Sequence, residues 1–251
     1  MRALLCLVYA VAAYFACLAV LLWFIGFSAN LVVAKTVDSG GAGASLATAL
    51  GVDALLLALF GVQHSVMARR GFKQWWTRVV PEPVERSTYI VASTLAIGVL
   101  MAFWVPVATP VVWHVENAVG AGVLWAVCAL GWGVVLLSTF LLDHFELFGL
   151  RQAWAAVTRQ VATDGGLRTP LLYRYVRHPL YLGFLLAFWA APVMTLGHLA
   201  FALGMSAYVA VGVTFEERDL VRAFGDRYRD YRRQVGMLLP RLRRSGSRPM
   251  R

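Results

Sequence analysis

Residues 177–217, RHPLYLGFLLAFWAAPVMTLGHLAFALGMSAYVAVGVTFEE, decide how this chain folds. Arg177 and His178 open the stretch, Glu216 and Glu217 close it, and no Asp, Glu, Lys or Arg lies between them. A chain that enters an apolar membrane and turns back brings its two polar ends to the same face. Because ionisable groups at a membrane are costly unless they bind something, we predict one pocket there.

The composition is that of a membrane protein. Of 251 residues, 60% are hydrophobic and only 14% are charged, which is unusual for a soluble domain. The net charge of +10 favours contact with anionic lipid head groups over nucleic acid. The three cysteines lie in apolar segments, which is typical of packing residues rather than of disulfides or zinc ligands. We expect membrane lipids around the protein and no obligate protein partner.

Apolar segments of membrane length recur along the chain, since a span needs about 20 apolar residues. The last two candidates are short, and they predict a tight hairpin around Pro192 and Gly197 that either crosses the membrane or re-enters it. The predicted fold is thus an all-α integral membrane protein, a bundle of about six transmembrane helices. The candidate spans are residues 3–27, 45–66, 87–109, 119–142, 179–196 and 198–215.

The basic residues set the predicted orientation. With the N-terminus in the cytosol, 22 of the 23 Lys and Arg residues fall on the cytosolic side, and only Lys35 lies outside. Cytosolic loops carry an excess of Lys and Arg, so the pattern places both termini in the cytosol. We predict an integral protein of a bacterial inner membrane.

We predict a single membrane domain over residues 1–251. Within it we distinguish a four-helix part (1–142), a part with the cofactor-binding loop, hairpin and C-terminal helix (143–240), and a basic tail (241–251). The C-terminal helix is predicted from an apolar stripe at helical spacing, which indicates a helix on the cytosolic leaflet that Pro240 stops. The stripe consists of Leu220, Phe224, Tyr228, Tyr231 and Val235.

Polar side chains from four spans end at the same predicted membrane face. This asymmetry, with few ionisable groups at the other face, indicates a site that opens to the cytosol. The residues are His64 on the second span, Asp143, His144 and Glu146 after the fourth, His178 and Tyr181 on the fifth, and Glu216 and Glu217 on the sixth.

The carboxylates also admit structural interpretations. Asp143 and Glu146 are suited to pairing with Arg151 or Arg177. Adjacent residues point about 100° apart on a helix, so one of Glu216 and Glu217 could serve a ligand while the other pairs with Arg218 or Arg222.

Further polar residues are equally ambiguous. His64 could bond a neighbouring carbonyl group. Asp53 lies near mid-membrane in the predicted map, where it either faces a cavity or bonds a neighbouring helix. His64 and His144 could together ligate a metal or haem, but two histidines do not select a metal, and we predict no metal site.

Several motifs in order resemble the isoprenylcysteine carboxyl methyltransferase superfamily, whose members are membrane enzymes that use S-adenosyl-L-methionine. They cover residues 165–240: GLRTP at 166–170, VRHPLYLG at 176–183, Glu216-Glu217 and FGDRYRDY at 224–231. Segments GVQHSVMAR at 61–69, PEPVERSTY at 81–89 and DHFELFGLRQ at 143–152 are similar to its methanethiol S-methyltransferase and NnrU-like branch. That resemblance implies methyl transfer from the cofactor to methanethiol, with release of dimethyl sulfide.

The resemblance implies a cofactor site around the RHPLY motif. Arg177 and His178 suit the cofactor carboxylate, since arginine forms forked hydrogen bonds. Glu216 or Glu217 suits its amino group or ribose hydroxyls, and tyrosine rings suit adenine or the sulfonium cation. The predicted cofactor-binding residues are Tyr173, Arg177, His178, Pro179, Tyr181, Glu216, Glu217 and Tyr228.

A thiol acceptor calls for a base, because the thiolate is the nucleophile and an ordinary thiol has a pKa of about 8.5. Histidine has an unperturbed pKa of about 6.5, which suits the task. We favour His144, oriented by Asp143 or Glu146, with His64 as the alternative.

Two other functions stay open at this stage. One keeps the cofactor but changes the acceptor to a larger lipid or isoprenoid thiol or amine, which would need a long groove between helices. The other is a non-catalytic NnrU-like membrane protein or a small transporter, which would not bind the cofactor tightly.

Overall fold

A computed structural model describes residues 1–41, 43–160, 166–167 and 169–241. Arg168 of the GLRTP motif and residues 242–251 of the predicted basic tail lie outside this part. The described elements are α1 (Arg2–Ser28), α2 (Leu46–Met67), α3 (Arg70–Trp76), α4 (Glu82–Phe103), β1 (Val111–His114), α5 (Ala118–Leu142), α6 (His144–Leu147), α7 (Leu150–Thr158), a 3₁₀ turn (Leu171–Arg174), α8 (Pro179–Trp189), β2 (Val193–Thr195), α9 (Leu196–Phe224) and α10 (Asp226–Gln234).

Five of these helices are long and apolar enough to cross a membrane: α1, α2, α4, α5 and α9, with 27, 22, 22, 25 and 29 residues. They correspond to five of the six predicted spans, and the protein is an integral membrane protein. The predicted span over residues 179–196 is not a helix of membrane length. The helix in this segment, α8, has only 11 residues and covers about 16 Å.

The chain beyond α8 is extended rather than helical. β2 pairs antiparallel with β1, which follows α4, so the predominantly helical fold contains one small two-stranded sheet. Proline lacks the amide hydrogen that a helix needs, and Pro192 just before β2 ends helical geometry there. Non-helical backbone at membrane depth is tolerated where protein covers it, and the strand pairing satisfies these amide and carbonyl groups.

An aromatic cluster fills the end of the bundle near the β1–β2 sheet. Phe24, Trp132, Phe188 and Phe201 come from four different helices, and the ring centroids of Phe24 lie 5.9–6.0 Å from the other three. Edge-to-face pairs of this kind add stability beyond the burial of apolar area. These rings therefore fill this end of the interior with packed aromatic side chains.

Two glycines let α5 and α8 approach closely. A Cβ on Gly183 would lie 2.6 Å from the carbonyl oxygen of Gly131, and a Cβ on Gly131 would lie 2.6 Å from the amide nitrogen of Ala187. Small residues at such crossings permit the close backbone contact that holds membrane helices together. This contact places Pro179 and Tyr181, at the start of α8, against the bundle.

We expect Gly183→Val to separate α5 from α8, because the clash is with backbone that cannot rotate away. Overpacking of a filled interior costs about 1–3 kcal/mol, so detergent-solubilised protein should unfold at lower temperature and lose cofactor affinity. Gly133→Val is the matched control, since Gly133 lies on the partner helix α5 and a Cβ there meets nothing within 4 Å. Equal stability of the two variants would contradict this account of the crossing.

The C-terminal helix differs from its prediction in two respects. It begins after a break at Gly225, whose φ of +56° favours glycine, and it ends at Gln234 rather than at Pro240. Its tyrosines Tyr228 and Tyr231 are buried against the protein. The apolar stripe therefore packs partly onto the bundle and not onto lipid alone, and the Tyr231 hydroxyl donates a hydrogen bond to the backbone carbonyl of Tyr173.

Asp53 binds a neighbouring helix end, one of its two predicted alternatives. Its Oδ1 accepts a hydrogen bond from the amide of Val105 at 2.8 Å, just beyond α4. Asp53 thus stabilises the end of α4 near the strand β1.

Candidate functional site

Glu217 forms a buried ionic centre near the end of α9. Its Oε1 accepts a hydrogen bond from Arg177 Nε at 2.7 Å and lies 3.2 Å from His178 Nε2. Its Oε2 lies 3.2 Å from Arg232 Nε on α10. Its partners therefore come from the segment before α8 and from α10, and not from Arg218 or Arg222 as the alternative interpretation expected.

Arg177 joins the C-terminal segment to the start of α8. Its Nη1 donates to the carbonyl oxygens of Arg232 at 3.1 Å and Val235 at 2.5 Å. Its backbone amide donates to the Gly236 carbonyl, and that of His178 donates to Met237. The guanidinium is buried and engaged by protein groups, so Arg177 orders the walls of the site.

Glu216 differs from its neighbour. Its Oε2 accepts a hydrogen bond from the Tyr181 hydroxyl at 2.8 Å. Its side chain is 43% exposed, whereas that of Glu217 is 9% exposed. The helical turn between the two residues explains the difference, because it points Glu217 into the protein and leaves Glu216 partly exposed.

Two further tyrosines lie close to Glu216. Burial, and then the charge of Glu216, raises the pKa of Tyr173 above its ordinary value. Burial and the charge of Glu217 raise the pKa of Tyr228 in the same direction, with Glu216 adding to it. Both phenols stay neutral at physiological pH, and both side chains are buried. A carboxylate among neutral aromatic rings is suited to a cationic ligand.

His64 is held by two hydroxyl groups of α4. Its Nε2 lies 2.6 Å from the Tyr89 hydroxyl, and its Nδ1 lies 3.1 Å from Ser93 Oγ. The rings of Phe60 and Tyr208 lie beside it, with centroids at 5.4 and 5.8 Å. The partners are side chains rather than the carbonyl group of the structural interpretation. Tyr89 and Ser93 are four residues apart and so share a helix face, which was the available signal in the sequence.

Tyr208 lies beside His64 on the helix that carries Glu216. Its ring meets the ring of His64 edge-on, and Tyr208, Gly212 and Glu216 share a face of α9 because they are spaced by four residues. One turn along α9, a Cβ on Gly212 would lie 3.7 Å from the Tyr181 hydroxyl. We call the resulting set the polar row: His64, Tyr89, Tyr208, Tyr181 and Glu216.

His144 lies in an aromatic enclosure. Its Nε2 lies 2.9 Å from the Tyr14 hydroxyl and its Nδ1 2.8 Å from Thr139 Oγ1. Its ring stacks on Phe140 at 4.2 Å. Burial lowers the pKa of His144 below its usual value, against the opposing charge of Asp143. The imidazole is therefore neutral at pH 7 and held in a fixed orientation.

The expected carboxylate partners of His144 are engaged elsewhere, so that prediction is wrong. Asp143 caps α6 by accepting from the amide of Glu146 at 3.0 Å, and Arg151 Nη1 bonds Asp143 at 2.5 Å and Glu146 at 3.1 Å. Capping a helix turns the Asp143 side chain toward free amide groups. Pairing with Arg151, the structural alternative for both carboxylates, is observed.

An apolar groove of about 420 Å³ opens beside α6 and α7. It is lined by Leu7, Asp143, Phe145, Leu150, Arg151 and Trp154. The groove provides an apolar surface next to the charged group of Asp143, Glu146 and Arg151.

A polar cluster at the other end of the bundle was missed in the sequence. Thr195 donates a hydrogen bond to Asp38, and Asn30 donates to the same carboxylate at 2.6 Å. The buried His198 lies with Nδ1 3.7 Å from Asp38 Oδ2 and Nε2 3.0 Å from the carbonyl of Phe188. The cluster fastens the loop after α1 to the start of α9.

The chain is similar in sequence to proteins that are named as enzymes. It is 55% identical over 216 residues to a methanethiol S-methyltransferase of Pseudomonas deceptionensis, covering 86% of this chain and 82% of the relative. It is 50% identical over 241 residues to a methanethiol S-methyltransferase of Mycobacterium tuberculosis, covering 96% and 98%. The alignments thus span nearly the full length of the chains.

A more distant similarity extends to eukaryotes. Nurim of Xenopus laevis is 31% identical over 169 residues, covering 64% of this chain and 59% of the relative. No family model and no solved structure matches the chain. The identity to named relatives confirms the branch predicted from the motifs, and the chain belongs to the methanethiol S-methyltransferase family.

Proposed function

We propose that this protein transfers a methyl group from S-adenosyl-L-methionine to methanethiol and releases dimethyl sulfide. The proposal rests on the polar row, which contains both the accessible carboxylate of Glu216 and the imidazole of His64. The names of the relatives agree with it. We further propose a bacterial inner membrane location with both termini in the cytosol, supported by the distribution of Lys and Arg.

The residues around Glu216 fit the proposed donor. When bound, S-adenosyl-L-methionine supplies a methyl group activated by a positively charged sulfur. Glu216 is accessible, and its free acceptor capacity suits an amino group or ribose hydroxyls. The rings of Tyr173, Tyr181 and Tyr228 suit a cation or an adenine, with a cation–π contact worth about 0.5–2 kcal/mol.

Glu217, Arg177 and His178 hold that surface in place. Their mutual contacts lie within 2.7–3.2 Å and attach α9 and α10 to the start of α8. Pro179 is the first residue of α8, where its missing amide costs no helical hydrogen bond. We therefore assign these four residues to positioning the cofactor surface, while Glu216 and the tyrosines contact the cofactor.

His64 is our proposed base, in preference to His144. Both histidines are held by two hydroxyl groups, but His64 lies in the polar row with Glu216, whereas His144 is enclosed by aromatic rings. The bound cofactor would supply the methyl group to the acceptor sulfur and would keep the electron pair of the broken carbon–sulfur bond. The imidazole of His64 would take up the thiol proton. A base so placed contributes typically about 10²–10⁴-fold.

We assign His144 to positioning. With Tyr14 and Thr139 it ties α1 to the end of α5, while Asp143 and Glu146 hold Arg151 at the start of α7. This corner forms one side of the interior that the polar row faces. Loss of these contacts would loosen the site without removing a reacting group.

A second candidate is methylation of a larger lipid or isoprenoid thiol. It is favoured by one feature, the apolar groove between α1 and the α6–α7 corner, which an alkyl chain would fit. The groove lies beside His144 rather than beside the polar row. Under this alternative His144 becomes the base, and long thiols become better acceptors than methanethiol.

The decisive assay uses purified protein in detergent or nanodiscs with methyl-labelled S-adenosyl-L-methionine. Methanethiol is added, and labelled dimethyl sulfide is detected in the headspace. A parallel series of longer thiols tests the second candidate. Tight cofactor binding without transfer to any thiol would point to another acceptor class, and absence of cofactor binding would support a non-catalytic membrane protein.

We expect Glu216→Gln to weaken cofactor binding by about tenfold or more, because a hydrogen bond to a charged group is worth about 1.5–3 kcal/mol. Calorimetry with S-adenosyl-L-methionine measures this directly. The amide keeps the shape of the side chain, so thermal stability should change little. Unchanged affinity would remove Glu216 from the cofactor site.

A further inference from the structure

Tyr208 lies next to the proposed base, on the face of α9 that turns toward α2. Its ring centroid is 5.2 Å from that of Phe60 and 5.8 Å from that of His64. Phe60 is itself a buried residue of the hydrophobic core, so the space behind the ring of Tyr208 is filled. Tyr208 therefore occupies the position where a molecule beside His64 would meet the end of the available space.

A glycine on α2 sets how far the ring of Tyr208 extends. A Cβ on Gly61 would lie 3.3 Å from Tyr208 Cδ2, which is close enough to displace the ring slightly. With glycine there, the ring lies directly against α2, and Phe60 on the same helix supports it. Helix α2 thus supports one side of the Tyr208 ring, and the ring has no space to move toward α2 when a longer molecule binds.

Tyr208 lies on the helix that carries Glu216 of the donor surface. Tyr208, Gly212 and Glu216 are spaced by four residues along α9 and so share a face of that helix. The next turn of α9 presents Gly212, whose missing side chain leaves space beside the Tyr181 hydroxyl. An acceptor between His64 and the donor surface thus has space toward Gly212 and a fixed aromatic wall at Tyr208.

We propose that Tyr208 determines the size of the acceptor and restricts this enzyme to the smallest alkyl thiols. The inference rests on the proposed function, which it deepens by assigning selectivity to one side chain. A pocket that closes tightly around one methyl group discriminates by steric overlap, and each methylene counts for about 10–200-fold. This steric selectivity is due to the aromatic ring of Tyr208 and not to its hydroxyl group.

The test compares kcat/KM for methanethiol and 1-propanethiol. Tyr208→Ala should raise the propanethiol-to-methanethiol ratio by about 10-fold or more, on the scale of one to two methylenes. Tyr208→Phe should leave the ratio unchanged, because it retains the ring. Gly61→Ala, which pushes the ring forward, should lower turnover of ethanethiol more than that of methanethiol.

Controls separate selectivity from general loosening. Phe184→Ala removes a similar ring that packs on Trp132 and Phe188, away from the polar row, and should leave the ratio unchanged. Tyr208→Leu provides a second widened variant if the alanine protein fails to fold, and calorimetry with S-adenosyl-L-methionine reports the intact donor site.

The outcomes are distinguishable. A wild-type enzyme that methylates methanethiol, together with Tyr208→Ala and Tyr208→Leu variants that keep the wild-type ratio, overturns the role of Tyr208 and leaves the proposed function standing. A wild-type protein that binds the cofactor but methylates no thiol defeats the proposed function, and the inference with it.

Discussion

Replacing Glu217 with alanine is expected to destabilise the protein by about 3–5 kcal/mol, because it leaves a buried charge without its partner. Arg177 is only 8% exposed, and its Nε would lose the carboxylate that lies 2.7 Å away. His178 and Arg232 would lose the same partner. Thermal unfolding of the detergent-solubilised protein, followed by tryptophan fluorescence, measures the loss.

The neighbouring residue supplies the matched control. Glu216→Ala removes the same charge one position earlier, but from an accessible side chain, so it should reduce cofactor affinity and spare stability. The double variant Arg177→Ala/Glu217→Ala should be less destabilised than the sum of the single variants, since contacting residues are not additive. Equal stability of the Glu216 and Glu217 variants would show that Glu217 is not the ionic centre of this corner.

His64→Ala is expected to slow methyl transfer by about 100-fold or more, which is the lower range for loss of a general base. The donor surface around Glu216 is built from other elements, so affinity for S-adenosyl-L-methionine should stay near the wild-type value. Single-turnover measurement of dimethyl sulfide formation, with the cofactor saturating, isolates the chemical step from binding.

Variants of two other histidines serve as comparisons for His64→Ala. His114→Ala changes an exposed residue of β1 at the other end of the bundle and should have wild-type activity. His144→Ala should lower stability, because Tyr14 and Thr139 lose their shared partner, with a smaller loss of the single-turnover rate than His64→Ala. A rate loss confined to the His144 variant would transfer the role of base to His144.

The site also explains why a methyltransferase for this acceptor would be built into a membrane. Methanethiol is apolar and enters an interior lined by membrane helices without crossing water, while a charged cofactor needs the accessible side of Glu216. The proposed acceptor space ends at the aromatic cluster, so the two reactants would meet near one end of the bundle. Binding both in fixed orientation is a large source of rate acceleration for a displacement reaction.

Several conclusions followed from the sequence because they depend only on the hydropathy of its segments and on the positions of its polar residues. Five apolar segments become the helices α1, α2, α4, α5 and α9, since only helical backbone satisfies its own hydrogen bonds in lipid. The order of the RHPLY and Glu-Glu motifs was sufficient to predict that the two polar ends of residues 177–217 lie at one face, because an apolar stretch that enters a membrane and turns back returns to the side it left.

Other features required the tertiary structure, because they depend on which side chains compete for the same partner. Nothing in the sequence distinguishes Glu216 from Glu217; the turn of α9 buries one against Arg177 and leaves the other accessible. Asp143 is next to His144 in the chain, yet its carboxylate caps α6 and binds Arg151.

The sequence by itself determined that this protein spans a membrane, that its polar motifs gather in one place and that it resembles a thiol methyltransferase, since hydropathy, charge and motif order are properties of the chain. Only the tertiary structure decided that α8 is short and continues as a strand, and that Tyr208 and Tyr89 join His64 in the polar row. These features arise from packing between helices distant in sequence, and such contacts leave no periodic signal in the residues that make them.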